Sequence, residues 1–360
     1  MSRKVRADIH LGAIVQNYRL ARAQAPGARA VAVVKANAYG HGAVQVARAL
    51  AVEADAFGVA CIEEALELRE AGLTQPVVLL EGFFDADELP VIAQEGFWPA
   101  VHSEHQLEML EQVELPAPIP VWLKVDTGMH RLGFEPEAVP AMVARLRACE
   151  TVADILLMTH FACSDEPGHG MTEVQLARFG RLADELGLDA SLSNSAAVMA
   201  WPEAHHQWLR PGVMLYGATP FEEPNPVADQ LQAAMTLSSE IIAVREVPAG
   251  EAVGYGATFS CDRPHRIGTV AMGYGDGYPR HARTGTPVIV AGQRTRLVGR
   301  VSMDMLTVDL TDLPQAGVGS RVELWGRQLA VSEVARWCDT IPYTLLTCLT
   351  PRVPRCYDYD

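Results

Sequence analysis

The sequence predicts an α/β protein in which a (β/α)8 barrel of the TIM type is followed by a mostly β C-terminal domain. Three observations carry this. Between residues 29 and 216, eight short apolar runs alternate with amphipathic stretches whose apolar positions fall at helical spacing. Beyond about residue 226 the pattern changes to β-branched, alternating runs punctuated by turn glycines. A chain of 360 residues is also long enough to bury one large core and a second, smaller one. The expected division is 1–225 for the barrel and 226–360 for the β domain.

In chain order, the runs at 29–36, 56–60, 77–81, 97–101, 119–126, 152–160, 189–193 and 210–215 are read as the barrel strands. The stretches 63–70 and 173–179 typify the helices between them, with apolar residues such as Ala65, Leu66 and Leu68 recurring among charged ones. Phe221-Glu222-Glu223-Pro224-Asn225-Pro226 reads as a linker, because two prolines in six residues break both helix and strand. After it, 236–247, 267–272, 287–290, 296–310 and 321–325 read as strands, and 331–338 as the one helix of this half. In such a barrel the active site lies at the C-terminal ends of the strands.

A net charge of −15 repels phosphate backbones and argues against nucleic acid as a partner. No run approaches 18 apolar residues, and the charged N-terminal stretch has no apolar segment behind it, so neither a membrane span nor a secretion signal is expected. Seven scattered cysteines without any C-x-x-C spacing suggest reduced thiols, a cytoplasmic location and no structural metal.

Only three of the 29 basic side chains are lysine: Lys4, Lys35 and Lys124. A lysine retained in so Arg-rich a chain is a candidate for Schiff-base chemistry, although two lysines snorkelling from strand ends would look the same. Lys35 and Tyr39 follow the first barrel strand, and Lys124, Asp126 and Arg131 follow the fifth. His160 ends the sixth, Asn194 and Ser195 end the seventh, and Arg210-Pro211-Gly212-Val213 opens the eighth. Barrels commonly bind phosphate through the loops after strands seven and eight, which makes Ser195 and the amides around Gly212 a candidate phosphate cradle. Asn194-Ser195 also reads as an ordinary helix cap. An imine-forming lysine beside a phosphate site implies pyridoxal 5′-phosphate.

Val34-Lys35-Ala36-Asn37-Ala38-Tyr39-Gly40-His41-Gly42 resembles the cofactor-lysine motif of bacterial alanine racemases. In the same order, Arg210-Pro211-Gly212-Val213-Met214-Leu215-Tyr216-Gly217, Val253-Gly254-Tyr255-Gly256-Ala257-Thr258-Phe259, Gly273-Tyr274-Gly275-Asp276-Gly277-Tyr278-Pro279-Arg280, Gly299-Arg300-Val301-Ser302-Met303-Asp304-Met305 and Ile341-Pro342-Tyr343 resemble further motifs of that family. The resemblance implies interconversion of L- and D-alanine, for peptidoglycan or for D-alanine catabolism, by two proton-transfer groups, Lys35 and Tyr255. It implies cofactor contacts from Lys35, Tyr39, His160, Asn194, Ser195, Arg210, Gly212, Val213 and Tyr343. Substrate contacts are implied for Arg131, Tyr274, Met303 and Asp304, a carbamate for Lys124, and a homodimer in which the partner supplies Tyr255. Tyrosine has a reference pKa of about 10 and needs a cation or donor to act as a base near neutrality, a role the resemblance gives to His160 and Arg210. Thr344 departs from the family pattern of Glu after the tyrosine.

Rival readings are a broad-specificity amino-acid racemase of the same fold and a non-catalytic cofactor-homeostasis protein built on the barrel alone. Tyr274 and Tyr343 as bulky walls favour a methyl side chain over the first. The motifs beyond residue 230 count against the second, and Cys261 lies in no motif of the kind a decarboxylase of this plan needs.

Overall fold

The structure is a computed structural model that describes residues 3–359; Met1, Ser2 and Asp360, at the outer ends of the two expected domains, lie outside the described residues. The strands are β1 (Arg6–His10), β2 (Arg29–Val33), β3 (Ala56–Val59), β4 (Val77–Leu79), β5 (Phe97–Val101), β6 (Ile119–Lys124), β7 (Val152–Met158), β8 (Ala190–Ser191) and β9 (Trp208–Leu209) in the first part of the chain. The second part holds β10 (Met235–Val247), β11 (Ala252–Val253), β12 (Phe259–Ser260), β13 (His265–Val270), β14 (Pro287–Val290), β15 (Gln293–Arg296), β16 (Leu306–Asp309), β17 (Arg321–Trp325) and β18 (Arg355–Asp358).

Strands β2 to β9 form one parallel sheet in the order β8-β7-β6-β5-β4-β3-β2-β9. Arg210 N donates to Ser193 O at 2.9 Å, which draws the two ends of this sheet together and nearly closes the barrel. Side chains pointing inward alternate along each strand. Small ones, Val31, Ala56, Val78 and Ala100, leave the room that Trp122 and Trp208 fill. Trp98, Trp122 and Trp208 pack with ring centroids 5.7–6.5 Å apart. The barrel is therefore a packed core, and ligand chemistry is confined to its mouth.

The eighth strand differs from expectation. It is Trp208–Leu209, and the run 210–215 is instead an irregular turn leading into a short 3-10 segment, Val213–Tyr216. Pro211 has no N–H to give a ladder, and Gly212 N turns away to Ser195 Oγ. The seventh strand is likewise short, because Asn194 starts the helix Ser195–Ala200 as its cap, its side chain accepting from Ala197 N at 3.0 Å.

In the β domain, the 13-residue β10 is the spine, pairing with β1, β13 and β17. β1 joins this sheet rather than the barrel, lying between β10 and β18. The chain thus begins in the β domain and crosses into the barrel through the helix Leu11–Ala23. Asn17 on that helix donates to Leu215 O and Gln232 O and accepts from Gln232 N, tying the two halves together. Of the expected run 296–310 only Arg296, the last residue of β15, and β16 are strand, and an irregular loop that carries Met303 lies between them. The helix expected at 331–338 is present as Val331–Trp337, and a second, unforeseen one spans Pro342–Thr347. All seven cysteines are free thiols. No helix among the described residues is long and apolar enough to cross a membrane.

Candidate active site

Lys35 leaves β2 at the barrel mouth and opens a left-handed turn: Ala36, Asn37, Ala38 and Tyr39 all have φ of 51–54°. L-residues resist this conformation by roughly 1–2 kcal/mol each, so other groups must hold it. Glu64 does so from the first turn of the helix Ile62–Glu70, its Oε1 accepting from Ala36 N at 2.7 Å and its Oε2 from Ala60 N at 2.8 Å. Asn37 Oδ1 accepts from Ala43 N at 2.8 Å, and Arg355 Nε donates to Gly40 O at 3.0 Å. Gly40 follows at φ 81°, and a Cβ there would run into the Leu346 carbonyl, so the turn is seated directly on the Pro342–Thr347 helix.

The mouth concentrates positive charge. Burial lowers the Lys35 pKa, Glu81 pulls it back up, Arg131 lowers it further and Glu64 raises it. Lys124 is buried and pushed down to about 8, first by burial and then by Arg210, Arg131 and Lys35. The same neighbours, after burial, hold His160 well below its ordinary value and therefore neutral. Arg210, 4% exposed, is lowered to about 10 by burial and remains a cation at neutral pH. Its guanidinium is fixed by four acceptors: Nη1 donates to Ser191 O (2.7 Å) and Ser191 Oγ (2.6 Å), and Nη2 to Thr159 O (2.6 Å) and Leu192 O (3.3 Å). Arg131 is presented on a loop folded back on itself, in which Phe134 N donates to Lys124 O and Asp126 N to Phe134 O, each at 2.9 Å. Asp126 Oδ1 accepts from Gly128 N and His130 N. The grouping of Asp126, His130 and Glu135 is accounted for by this loop folding.

Beside the cations lies a polar cradle. Ser195 Oγ accepts from Gly212 N at 2.8 Å and Met214 N at 3.2 Å, which commits its lone pairs and leaves its proton to donate elsewhere. A Cβ on Gly212 would lie 2.8 Å from the Tyr39 hydroxyl, so glycine keeps this pocket open. Tyr39 stacks on Tyr216 at 4.8 Å and meets Tyr343 at 5.9 Å. Burial raises both hydroxyls, Tyr39 to about 12, so they stay protonated donors. Val213 is buried, and Asn194 Oδ1 is used in capping and in accepting from Ser164 Oγ.

The sequence-expected barrel residues thus converge. Of the β-domain residues, Tyr343 joins them in the same chain through Tyr39, whereas Tyr255, Tyr274, Met303 and Asp304 stand exposed on the β domain. Tyr255 sits on a turn between Gly254 (φ 76°) and Gly256 (φ 73°), packed by Arg300, and is 69% exposed. Tyr274 and Met303 are also exposed, and their backbones are linked by Tyr274 N to Ser302 O and Gly275 N to Met303 O. The Asp304 carboxylate is engaged by Arg352 Nη2 at 2.6 Å.

The family model described as "Alanine racemase, N-terminal domain" matches residues 9–220, and that described as "Alanine racemase, C-terminal domain" matches 234–357. The chain belongs to the alanine racemase family. It is 58% identical to a catabolic alanine racemase of Pseudomonas aeruginosa, with 99% of each chain covered. It superimposes on the biosynthetic alanine racemase of the same organism with a TM-score of 0.95, at 51% identity over 99% of both chains. An alanine racemase of Bartonella henselae, solved with covalently bound pyridoxal phosphate, matches with a TM-score of 0.88 at 32% identity, 99% of both chains being covered. This alanine racemase is accordingly an isomerase acting on L- and D-alanine. Sequence reasoning missed Glu64, Ser191 and Thr159, which hold the site from behind. The only signal for Glu64 was an acidic pair, Glu63-Glu64, in the first turn of a helix, which ordinarily just complements a helix N-terminus.

Proposed function

We propose that this alanine racemase works in the cytoplasm with pyridoxal 5′-phosphate anchored on Lys35, as a homodimer whose active sites each take Tyr255 from the second copy. The observation that carries the reading is the meeting of a lysine whose pKa is lowered by burial with a cradle holding a free hydroxyl donor, in a mouth rich in cations. An anionic phosphate with a reactive aldehyde fits that chemistry: the Ser195 hydroxyl, the Val213 amide, Tyr39 and Tyr343 would hold the phosphate, joined by the Gly212 amide if it exchanged its Ser195 Oγ acceptor for the phosphate, and Lys35 would carry the covalent link. Bound there, the cofactor supplies the electron sink that makes the α-proton of alanine removable.

Each residue then has a definite task. Lys35, whose burial and Arg131 favour the neutral amine, moves a proton on one face of the substrate. Tyr255 of the second copy moves one on the other face, assisted by neutral His160 and cationic Arg210. By family resemblance Arg210 would be among the residues holding the cofactor ring, and a cation fixed there would disfavour protonation of the ring nitrogen and so restrict the chemistry to proton exchange. Asn194 positions Ser195 through its cap. Arg131 orients the substrate carboxylate, and Tyr274, Met303 and Asp304 close the far wall around a methyl side chain. At a pKa of about 8, Lys124 has an appreciable neutral fraction, the form that adds CO2. A carbamate on it would turn repulsion of Arg131 into attraction. The two units of this reading are 1–225 and 226–360, the strand Arg6–His10 of the first lying in the sheet of the second.

Borohydride reduction of the purified holoenzyme followed by peptide mapping tests the anchor. Cofactor on Lys35 is the expected result. Cofactor on Lys124, or on no lysine, would refute the assignment.

A further inference from the structure

Behind the proposed far wall of the site lies a charge cluster built from both ends of the chain. Asp276 has a side-chain exposure of 0% and an ionised carboxylate so placed must be compensated. Arg3 meets it in a two-pronged arrangement, Nη1 to Oδ1 at 2.5 Å and Nη2 to Oδ2 at 2.7 Å. Gly273 N donates to Oδ2 at 2.9 Å, and Arg352 Nε lies 3.4 Å from Oδ1. Arg3 Nη2 also donates to Asp304 O at 2.9 Å, while Arg352 Nη2 reaches Asp304 Oδ1 at 2.6 Å.

The cluster spans two turns, 273–277 and 302–305, and these are the turns that present Tyr274 and Met303. They touch with no slack. A Cβ on Gly273 would run into the Met303 carbonyl, and one on Gly275 would lie 2.5 Å from Arg352 Nη1. The side chains of Tyr274 and Met303 are partly exposed, at 37% and 53%. Their backbones are joined by Tyr274 N to Ser302 O and Gly275 N to Met303 O, and behind them two guanidiniums bridge the turns: Arg352 links the two carboxylates, while Arg3 links the buried carboxylate of the first turn to a backbone carbonyl of the second.

We propose that Arg3 is a positioning residue for racemisation: by clamping Asp276 and the Asp304 carbonyl together it sets the separation of Tyr274 and Met303, and hence the fit of the site to alanine. This rests on the reading above that those two side chains line the substrate. A planar fork with parallel N–H donors is needed to span a carboxylate and a carbonyl at once, which lysine cannot do.

The test uses full-length holoenzyme. Arg3→Met is expected to raise KM for alanine about fivefold or more while kcat changes less than about twofold, since the loss falls on binding shared by ground and transition states. Arg3→Lys, which keeps the charge without the fork, falls between. Because Arg3→Met leaves the buried Asp276 with only Arg352 and the Gly273 N–H to compensate it and can cost stability, Arg3→Met/Asp276→Asn is measured beside it; its melting midpoint should recover while KM stays high. A KM that recovers with the midpoint, or that never moves in folded Arg3→Met protein, overturns the proposal.

Mixed dimers with a single working site, one chain carrying Lys35→Ala, separate this inference from the reading it rests on. Arg3→Met should raise KM when carried by the Lys35→Ala chain. A rise only when it is carried by the chain with Lys35 keeps the clamp and removes the shared site. A rise in neither arrangement removes the clamp.

Discussion

The imidazole of His41 is fully buried, lies 4.5 Å from the Tyr216 ring, and has Nδ1 at 3.0 Å from both the Ala38 and the Tyr39 carbonyls. Carbonyls only accept, so Nδ1 carries the proton and the ring is neutral; burial pushes its pKa down from 6.5 to about 4, against a partial upward pull from those carbonyls. The unfolded chain therefore takes up this proton first as pH falls. The stability His41 contributes is whole above about pH 6.5, declines between 6.5 and 4, and is lost below, a total of roughly 3 kcal/mol. Denaturation of wild type and His41→Gln across pH 4–8 should give a difference that is flat above 6.5 and shrinks toward pH 4. A difference constant over the whole range would show that the ring does not titrate this way. Side chains such as Lys35, Tyr39 and Ser195 were legible in the sequence because each falls at the end of an apolar run and so must sit at the mouth, whereas Arg210 was read as opening one. His41 was legible only as part of a motif, because its neutrality comes from packing against Tyr216, which is 175 positions away along the chain.

The left-handed turn after Lys35 is an element that cannot stand on its own backbone preferences, and Glu64 is its principal external support. Its two carboxylate oxygens accept from two different backbone N–H groups. Glu64→Gln keeps the shape but turns one acceptor into a donor, leaving Ala36 N or Ala60 N unpaired. The expected cost is about 1–3 kcal/mol, read as a lowered denaturation midpoint at fixed protein concentration, together with slower racemisation as Lys35 loses its fixed origin. Unchanged stability and rate would show that the turn holds itself. Elements with a clear period were readable in advance: β14 and β17 fall where alternation put them, and the barrel strands fall within a few residues of theirs. The exceptions have local causes. Pro211 and Gly212 looked apolar enough to be strand but lack the donor and the geometry. The Pro342–Thr347 helix is six residues long and shows too few turns to display a helical period, yet it brings Tyr343 to Tyr39 and seats Leu346 against Gly40.

Taken as a whole molecule, one chain carries the two proposed proton-transfer groups in different surroundings. Lys35 has Glu81, Arg131 and Glu64 as its charged neighbours, all from the barrel, whereas Tyr255 stands 69% exposed on the β domain. Other exposed apolar groups of the β domain, Ile242, Met303 and Met305, are of the kind that association covers, and Ile242 and Met305 share a cavity with Arg3 and Asp304. A second copy related by a two-fold axis would bring each Tyr255 to the other's Lys35 and complete two equivalent sites. With Tyr255→Phe only one face retains a proton-transfer group, so cofactor binding should persist while racemisation is nearly abolished. Solvent deuterium should still enter Cα of the enantiomer served by Lys35, expected from the family resemblance to be D-alanine, and exchange into L-alanine should be lost. Loss of exchange into both enantiomers to the same degree would argue against two separate groups. Mixing Tyr255→Phe protein with inactive Lys35→Ala protein sharpens the point, because each mixed dimer would hold one site with neither residue and one with both. Activity should therefore rise from near zero toward that of about one wild-type site per mixed dimer. If mass spectrometry shows that the subunits have exchanged and activity stays absent, lysine and tyrosine must act within one chain, and the exposed Tyr255 is not the second proton-transfer group of a shared site.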